Sequence, residues 1–87
     1  MANANELQAI VEAVLFASGE PLELSRLSEV LDIEDEQTQQ ILLNLASELD
    51  ERHSGICLLE LDGKYQLSTR TKYGDYIRKV LEVKKNA

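Results

Sequence analysis

Eighty-seven residues, 44% of them apolar, are enough for one compact domain with a single core. No apolar run reaches the eighteen or so residues of a membrane span, and the polar, base-free residues 1–8 do not form a secretory leader, so the chain reads as soluble and cytoplasmic. The net charge of −7 is unevenly held: residues 1–51 carry twelve acids and one base, residues 52–87 four acids and eight bases, which makes −11 against +4 and should repel phosphate from the longer part.

The first element is predicted over residues 4–17. Leu7, Ile10, Val11, Val14 and Leu15 recur at helical spacing, Asn3 and Glu6 have the spacing of a capping box, and Ser18-Gly19 closes the helix. Pro21 is expected to start a second helix of about two turns, with Leu24, Leu27, Val30 and Leu31 on its inner side. A third helix occupies residues 34–52, EDEQTQQILLNLASELDER, in which Thr38, Ile41, Leu42, Leu45 and Leu49 share about a third of the circumference. Its acidic start suits the positive end of the helix dipole.

Beyond Gly55 the segment ICLLELDGKYQLST holds Asp62-Gly63 between two strand-like runs, the signature of a two-residue type I′ hairpin. With that loop fixed, Leu61 faces Lys64, Glu60 faces Tyr65, Leu59 faces Gln66 and Leu58 faces Leu67. Ile56, Leu58, Glu60, Tyr65, Leu67 and Thr69 then form the core face, and Cys57, Leu59, Leu61, Lys64, Gln66 and Ser68 the outward face. A last helix in KYGDYIRKVLEV gathers Tyr73, Tyr76, Ile77, Val80 and Leu81, and the KKNA tail reads as a linker start or a frayed end. Three helices, a hairpin and a closing helix make a mostly α, α+β winged helix-turn-helix, one domain over residues 1–87.

In such a fold the third helix usually enters DNA. Here Gln37, Gln39, Gln40 and Asn44 are its only candidate base readers, and they stand among Glu34, Asp35, Glu36, Glu48, Asp50 and Glu51. Phosphate neutralisation needs Lys or Arg. The bases Lys64, Arg70, Lys72, Arg78 and Lys79 offer a wing-side patch instead. Catalysis has no support: the carboxylates fall on exposed helix faces, His53 has no nucleophile partner legible in sequence, and glycines occur singly. One cysteine with one histidine makes neither a disulfide nor a metal site, so no cofactor or metal is expected.

Leu59 and Leu61 point outward on a strand that a DNA-touching wing would make polar, which marks this face for a protein partner. Phe16, about 180° from Leu7, is expected to pack under a neighbouring element at the helix end, and Leu43, about 140° from the inner stripe, stands between core and surface. Both are the next candidates for partner contact after Leu59 and Leu61.

Two stretches resemble a known family. AIVEAVLFASGEPLELSRLSEVL, followed by SGICLLELDGKYQLSTRTKYGDYIRKVL, is similar to the N-terminal winged-helix domain of the bacterial segregation and condensation protein B family. The pieces that carry the likeness are LFASGEPL at the first helix end, SGI at the wing start, the GKYQL return strand with its Thr-Arg exit, and YIRK in the last helix. The resemblance implies a non-enzymatic homodimer that binds the kleisin subunit, and through it the SMC ATPase, in chromosome segregation and condensation. It places the chain at the nucleoid through that complex, with no direct DNA contact of its own. It also implies that this domain is the first of two tandem winged helices, the second being absent from this sequence. The alternative reading of the residues is a winged-helix transcriptional regulator using the wing and last helix.

Overall fold

Helix α1 (Ala4–Ser18) begins where Asn3 Oδ1 accepts the backbone N–H of Glu6 at 2.9 Å, and ends where Gly19, at φ 67°, donates back to Leu15 O. The computed structural model describes residues 3–86, with side chains as far as Glu82. Val11 and Leu15 are fully buried, and Leu7 and Val14 pack against the same core. Helices α2 (Leu24–Leu31) and α3 (Asp35–Glu51) follow, joined by a turn in which Asp32 adopts φ 57°.

The helix-turn-helix is locked by polar groups as well as leucines. Ser28 Oγ donates to Thr38 Oγ1 at 2.7 Å, and Thr38 Oγ1 in turn reaches Glu34 O at 3.2 Å. Both hydroxyls are buried, so each must find a partner inside the protein, and each does. The inner face of α3 is the one expected, with Thr38, Ile41, Leu42, Leu45 and Leu49 all buried. Gln37 Oε1 accepts the backbone N–H of Glu34 at 3.2 Å, the return bond of a capping box.

Strands β1 (Leu22–Glu23), β2 (Ile56–Leu61) and β3 (Lys64–Thr69) form an antiparallel sheet in the order β1-β3-β2. The hairpin register matches expectation, from Leu61 opposite Lys64 to Leu58 opposite Leu67. Asp62 at φ 53° and Gly63 at φ 77° supply the two positive dihedrals of a type I′ turn. Leu58, Tyr65 and Leu67 pack on the core. Residues 22–23 are a correction: instead of entering a helix directly after Pro21, they pair with the open side of β3, Leu22 opposite Tyr65. That moves the start of α2 to Leu24 and leaves Val30 exposed rather than inward.

Arg70 ties the hairpin exit to the end of α3. Its Nε donates to Ser54 O, its Nη2 donates to Leu49 O at 3.3 Å and Asp50 Oδ1 at 2.9 Å, and its backbone N–H donates to Gly55 O at 3.0 Å. The guanidinium adds a second donor to Leu49 O, which already accepts the Ser54 N–H at 2.9 Å, and sits near the negative end of the helix dipole. A 3-10 turn (Thr71–Tyr73) then leads into α4 (Gly74–Asn86). The helix carries the Lys-rich tail as far as Asn86, in place of a linker or frayed end, as suits bases at a helix C-terminus; Ala87 lies outside the described residues.

Leu45 is completely buried on the middle of α3. Leu45→Ala should therefore cost roughly 2–5 kcal/mol in chemical denaturation, and a loss under about half a kcal/mol would misplace the inner face of the helix. Arg70→Met, which keeps the stem and removes the donors, should cost about 1–3 kcal/mol. Arg70→Lys should recover only part of it, because one ammonium cannot reproduce the planar fork; full recovery would reduce the clamp to a point charge.

Candidate functional site

The four residues singled out for partner contact are all exposed, Phe16 at 81%, Leu61 at 63%, Leu43 at 60% and Leu59 at 40%. Phe16 is thereby corrected, because no neighbouring element covers the outer side of α1 where it stands. The four are not brought together. Phe16 belongs to an apolar groove of about 430 Å³ between the outer side of α1, the end of α3 and the hairpin, with Ala9, Ala13, Leu49, Ile56 and Leu67. Glu12 and Arg52, paired at 3.8 Å, also line it. Leu43 lines a separate hollow with Leu42, Ala46, Leu58 and Tyr65, and Leu59 a third beside Cys57, Ser68 and Lys72.

A further apolar surface left open lies on the helix that was expected to close the fold. α4 packs chiefly on the 3-10 turn that precedes it, and Tyr76, Ile77, Val80 and Leu81 lie exposed, Tyr76 at 70% and Val80 at 66%. The stripe is present as its spacing foretold, but it does not close over the core. The reason is capacity: α1, α2, α3 and the hairpin already cover one another. Sequence reasoning also missed the groove, although Ala9, Ala13 and Phe16 recur at four- and three-residue steps and so mark a second apolar stripe on α1.

The basic wing-side patch is broken up. Arg70 is engaged by α3 as described, Arg78 pairs with Asp75 one turn earlier, and Lys72 and Lys79 lie over the rings of Tyr73 and Tyr76 at 5.3 and 5.9 Å. On α3, Gln40 Nε2 donates to Asn44 Oδ1 at 3.1 Å, so two of the candidate base readers occupy each other, and Gln37 is held by the cap. His53 sits exposed at φ 53° beside Asp50, Arg70 and Tyr73. Among the described residues no three His, Cys, Asp or Glu side chains stand together as a metal site, and no helix is long and apolar enough to cross a membrane.

The family described as segregation and condensation complex subunit ScpB matches residues 9–87. The chain belongs to the ScpB family. A segregation and condensation protein B from Alkaliphilus metalliredigens is 35% identical over 82 residues, covering 94% of this chain and 43% of the relative. The chain thus spans less than half the length of the curated relatives it matches. ScpB from Mycobacterium tuberculosis superposes with a TM-score of 0.87 at 27% identity, over 93% of this chain and 51% of that one. An ScpB N-terminal domain, crystallised as a dimer complexed with an ScpA peptide, gives 0.79 at 34% identity, over 84% of this chain and 91% of that one. The winged helix of this chain is the ScpB winged helix.

With α3 acidic and Arg70 and Arg78 paired with acids, the domain should form no sub-micromolar complex with duplex DNA at physiological salt. Titration of a labelled duplex at low and moderate salt checks this. Tight binding that falls steeply with salt would count phosphate contacts and restore the regulator reading.

Proposed function

We propose that this chain is a non-enzymatic protein-interaction winged helix, one that pairs with itself and helps assemble the kleisin–SMC complex of chromosome segregation and condensation. The observation that carries the reading is the apolar surface left outside the core: Phe16, Leu43 and the Leu59–Leu61 pair on three separate faces, and the stripe of α4. A contiguous exposed stripe such as that of α4 tends to mark a protein interface. A protein that meets its own copy and a second protein needs more than one such face. The dimer of the similar ScpB N-terminal domain, solved with an ScpA peptide, supports both associations for this chain.

Residues 1–87 act here as one winged-helix unit, the counterpart of the first of the two tandem domains that the resemblance implies. The ScpA-type subunit is the kleisin partner, and the SMC ATPase is reached through it. A cytoplasmic protein at the nucleoid follows from membership of that complex. Leu59 and Leu61 belong to the partner-contacting surface, since they extend from the outward side of β2, an edge strand of the sheet.

Changing Leu59 and Leu61 together to Asp should weaken self-association or the hold on an ScpA-type peptide by at least about tenfold, while circular dichroism and cooperative unfolding stay intact. Sedimentation over a concentration series and peptide titration read the two arms. Loss of folding would return these leucines to the core; two unchanged affinities would remove the wing from the partner surface.

A further inference from the structure

β2 is an edge strand with an apolar hollow beside it. In an antiparallel pair, opposed residues alternate between those that exchange main-chain hydrogen bonds and those that turn their N–H and C=O away. The two-residue turn makes Leu61 and Lys64 an exchanging pair, and Leu59 with Gln66 and Cys57 with Ser68 follow at steps of two. The Arg70 N–H, donating to Gly55 O at 3.0 Å, continues the same alternation. Ile56, Leu58 and Glu60 therefore aim their main-chain groups at the open side of the sheet. The Ile56 N–H meets Ser54 Oγ there at 3.0 Å, and no strand of the described residues lies along that side to pair with Leu58 and Glu60.

Leu58 and Glu60 also line the hollow between β2 and α3, where Leu42, Leu43 and Ala46 supply an apolar wall. Its volume of about 210 Å³ falls below the roughly 300–1,000 Å³ of small-molecule pockets and suits one apolar side chain carried by a longer segment. Strand addition uses both features at once, because side chains alternate across an added strand. Those on the hollow side meet Leu43 and Leu58; those on the other meet the exposed Leu59 and Leu61.

Charge selects the occupant. Among the described residues that line the hollow only Glu60 is charged, and Asp35 and Glu36 stand one turn before Gln39, which lines it too. None of these three acids is paired with a base among the described residues. Nucleic acid and anionic lipid are turned away, and a second copy paired edge to edge would add its own acids to these.

We infer that β2 accepts, as a fourth strand of the sheet, an extended segment of a second protein that places one apolar side chain in the Leu43–Leu58 hollow, with Lys or Arg at the next positions on that face. The inference rests on the reading of the domain as a protein-interaction module, and names a site and the chemistry of its partner.

The probe is a synthetic peptide, Thr-Lys-Val-Leu-Val-Lys-Thr, blocked at both ends and titrated into the full 87-residue chain. Amide spectra should show the Leu58 and Glu60 N–H groups shifting and slowing in solvent exchange as the peptide binds. Methylating the peptide's main-chain nitrogens removes its donors and keeps its side chains, and should weaken binding at least about tenfold. Exchanging its Lys for Glu should do the same. Leu43→Arg, at an exposed position, fills the hollow and opposes the peptide's bases; it should keep the fold and self-association and lose at least about tenfold in peptide affinity. If that variant does not fold, Glu60→Lys, expected to weaken binding severalfold, and the methylated peptide decide. No binding at about 1 mM probe, or a methylated or Glu-bearing peptide that binds as well, overturns the strand site. A shift of Leu43→Arg toward monomer in sedimentation velocity gives this face to a second copy and overturns the assigned occupant. A chain that neither self-associates nor holds an ScpA-type peptide overturns the interaction reading itself; one that does either but leaves the probe free loses only this site.

Discussion

Leu42, Leu45 and Leu49 stand along the inner side of α3, and α1, α2 and the hairpin reach the core by packing against that helix. Of the seven buried apolar side chains among the described residues, four belong to α3; α1 supplies two and α2 one. A chain of this length can close only one such core. Once α1, α2 and one face of the hairpin have been placed against α3, the inner side is used up. α4 is left to find its apolar contacts outside the core, and so are Phe16 and Leu43, which extend from the backs of helices whose fronts are already committed.

Arg70 acts at the far end of the same helix. α3 has no basic residue in its last turn, and its last carbonyls, Glu48, Leu49 and Asp50 O, accept the backbone N–H groups of Arg52, Ser54 and His53. Arg70, only 23% exposed, adds a cation there from the hairpin exit, a second donor to Leu49 O and a partner for Ser54 O and Asp50, and in doing so fixes the point from which the 3-10 turn and α4 depart. One side chain thus tightens a helix end, anchors the wing and orients the last element. It also withdraws a guanidinium that a DNA-binding wing would keep free.

What was legible in the sequence was what local physics decides. Asp62-Gly63 set the register of the whole hairpin, because two positive dihedrals admit one turn type. The spacing of Thr38, Ile41, Leu42, Leu45 and Leu49 gave the buried face of α3, and Gly19 the end of α1. What was not legible depends on partners far along the chain. A two-residue strand has no period to read, so β1 shows only when β3 is beside it. Periodicity marks Tyr76, Ile77, Val80 and Leu81 as one face without saying what covers it, and the expectation that a neighbouring element covers the end of α1 misplaced Phe16. The wing leucines were legible as outward because register alone settles the side of a strand. That they share no surface with Phe16 or Leu43 needed the packing of all the elements at once.

The charge distribution decides what this helix-turn-helix can meet at contact. Beyond a Debye length of about 8 Å the field of the acidic body is screened, so it governs what can come into contact rather than what is drawn from afar. At contact it turns away phosphate and other acidic bodies and favours a basic surface. The −11 and +4 segments thus set which surfaces can approach α3, while the apolar side chains left outside the core set where burial can add affinity. In a winged helix that binds DNA, the charge on α3 has to attract phosphate. This α3, with five acids and no base, does the reverse.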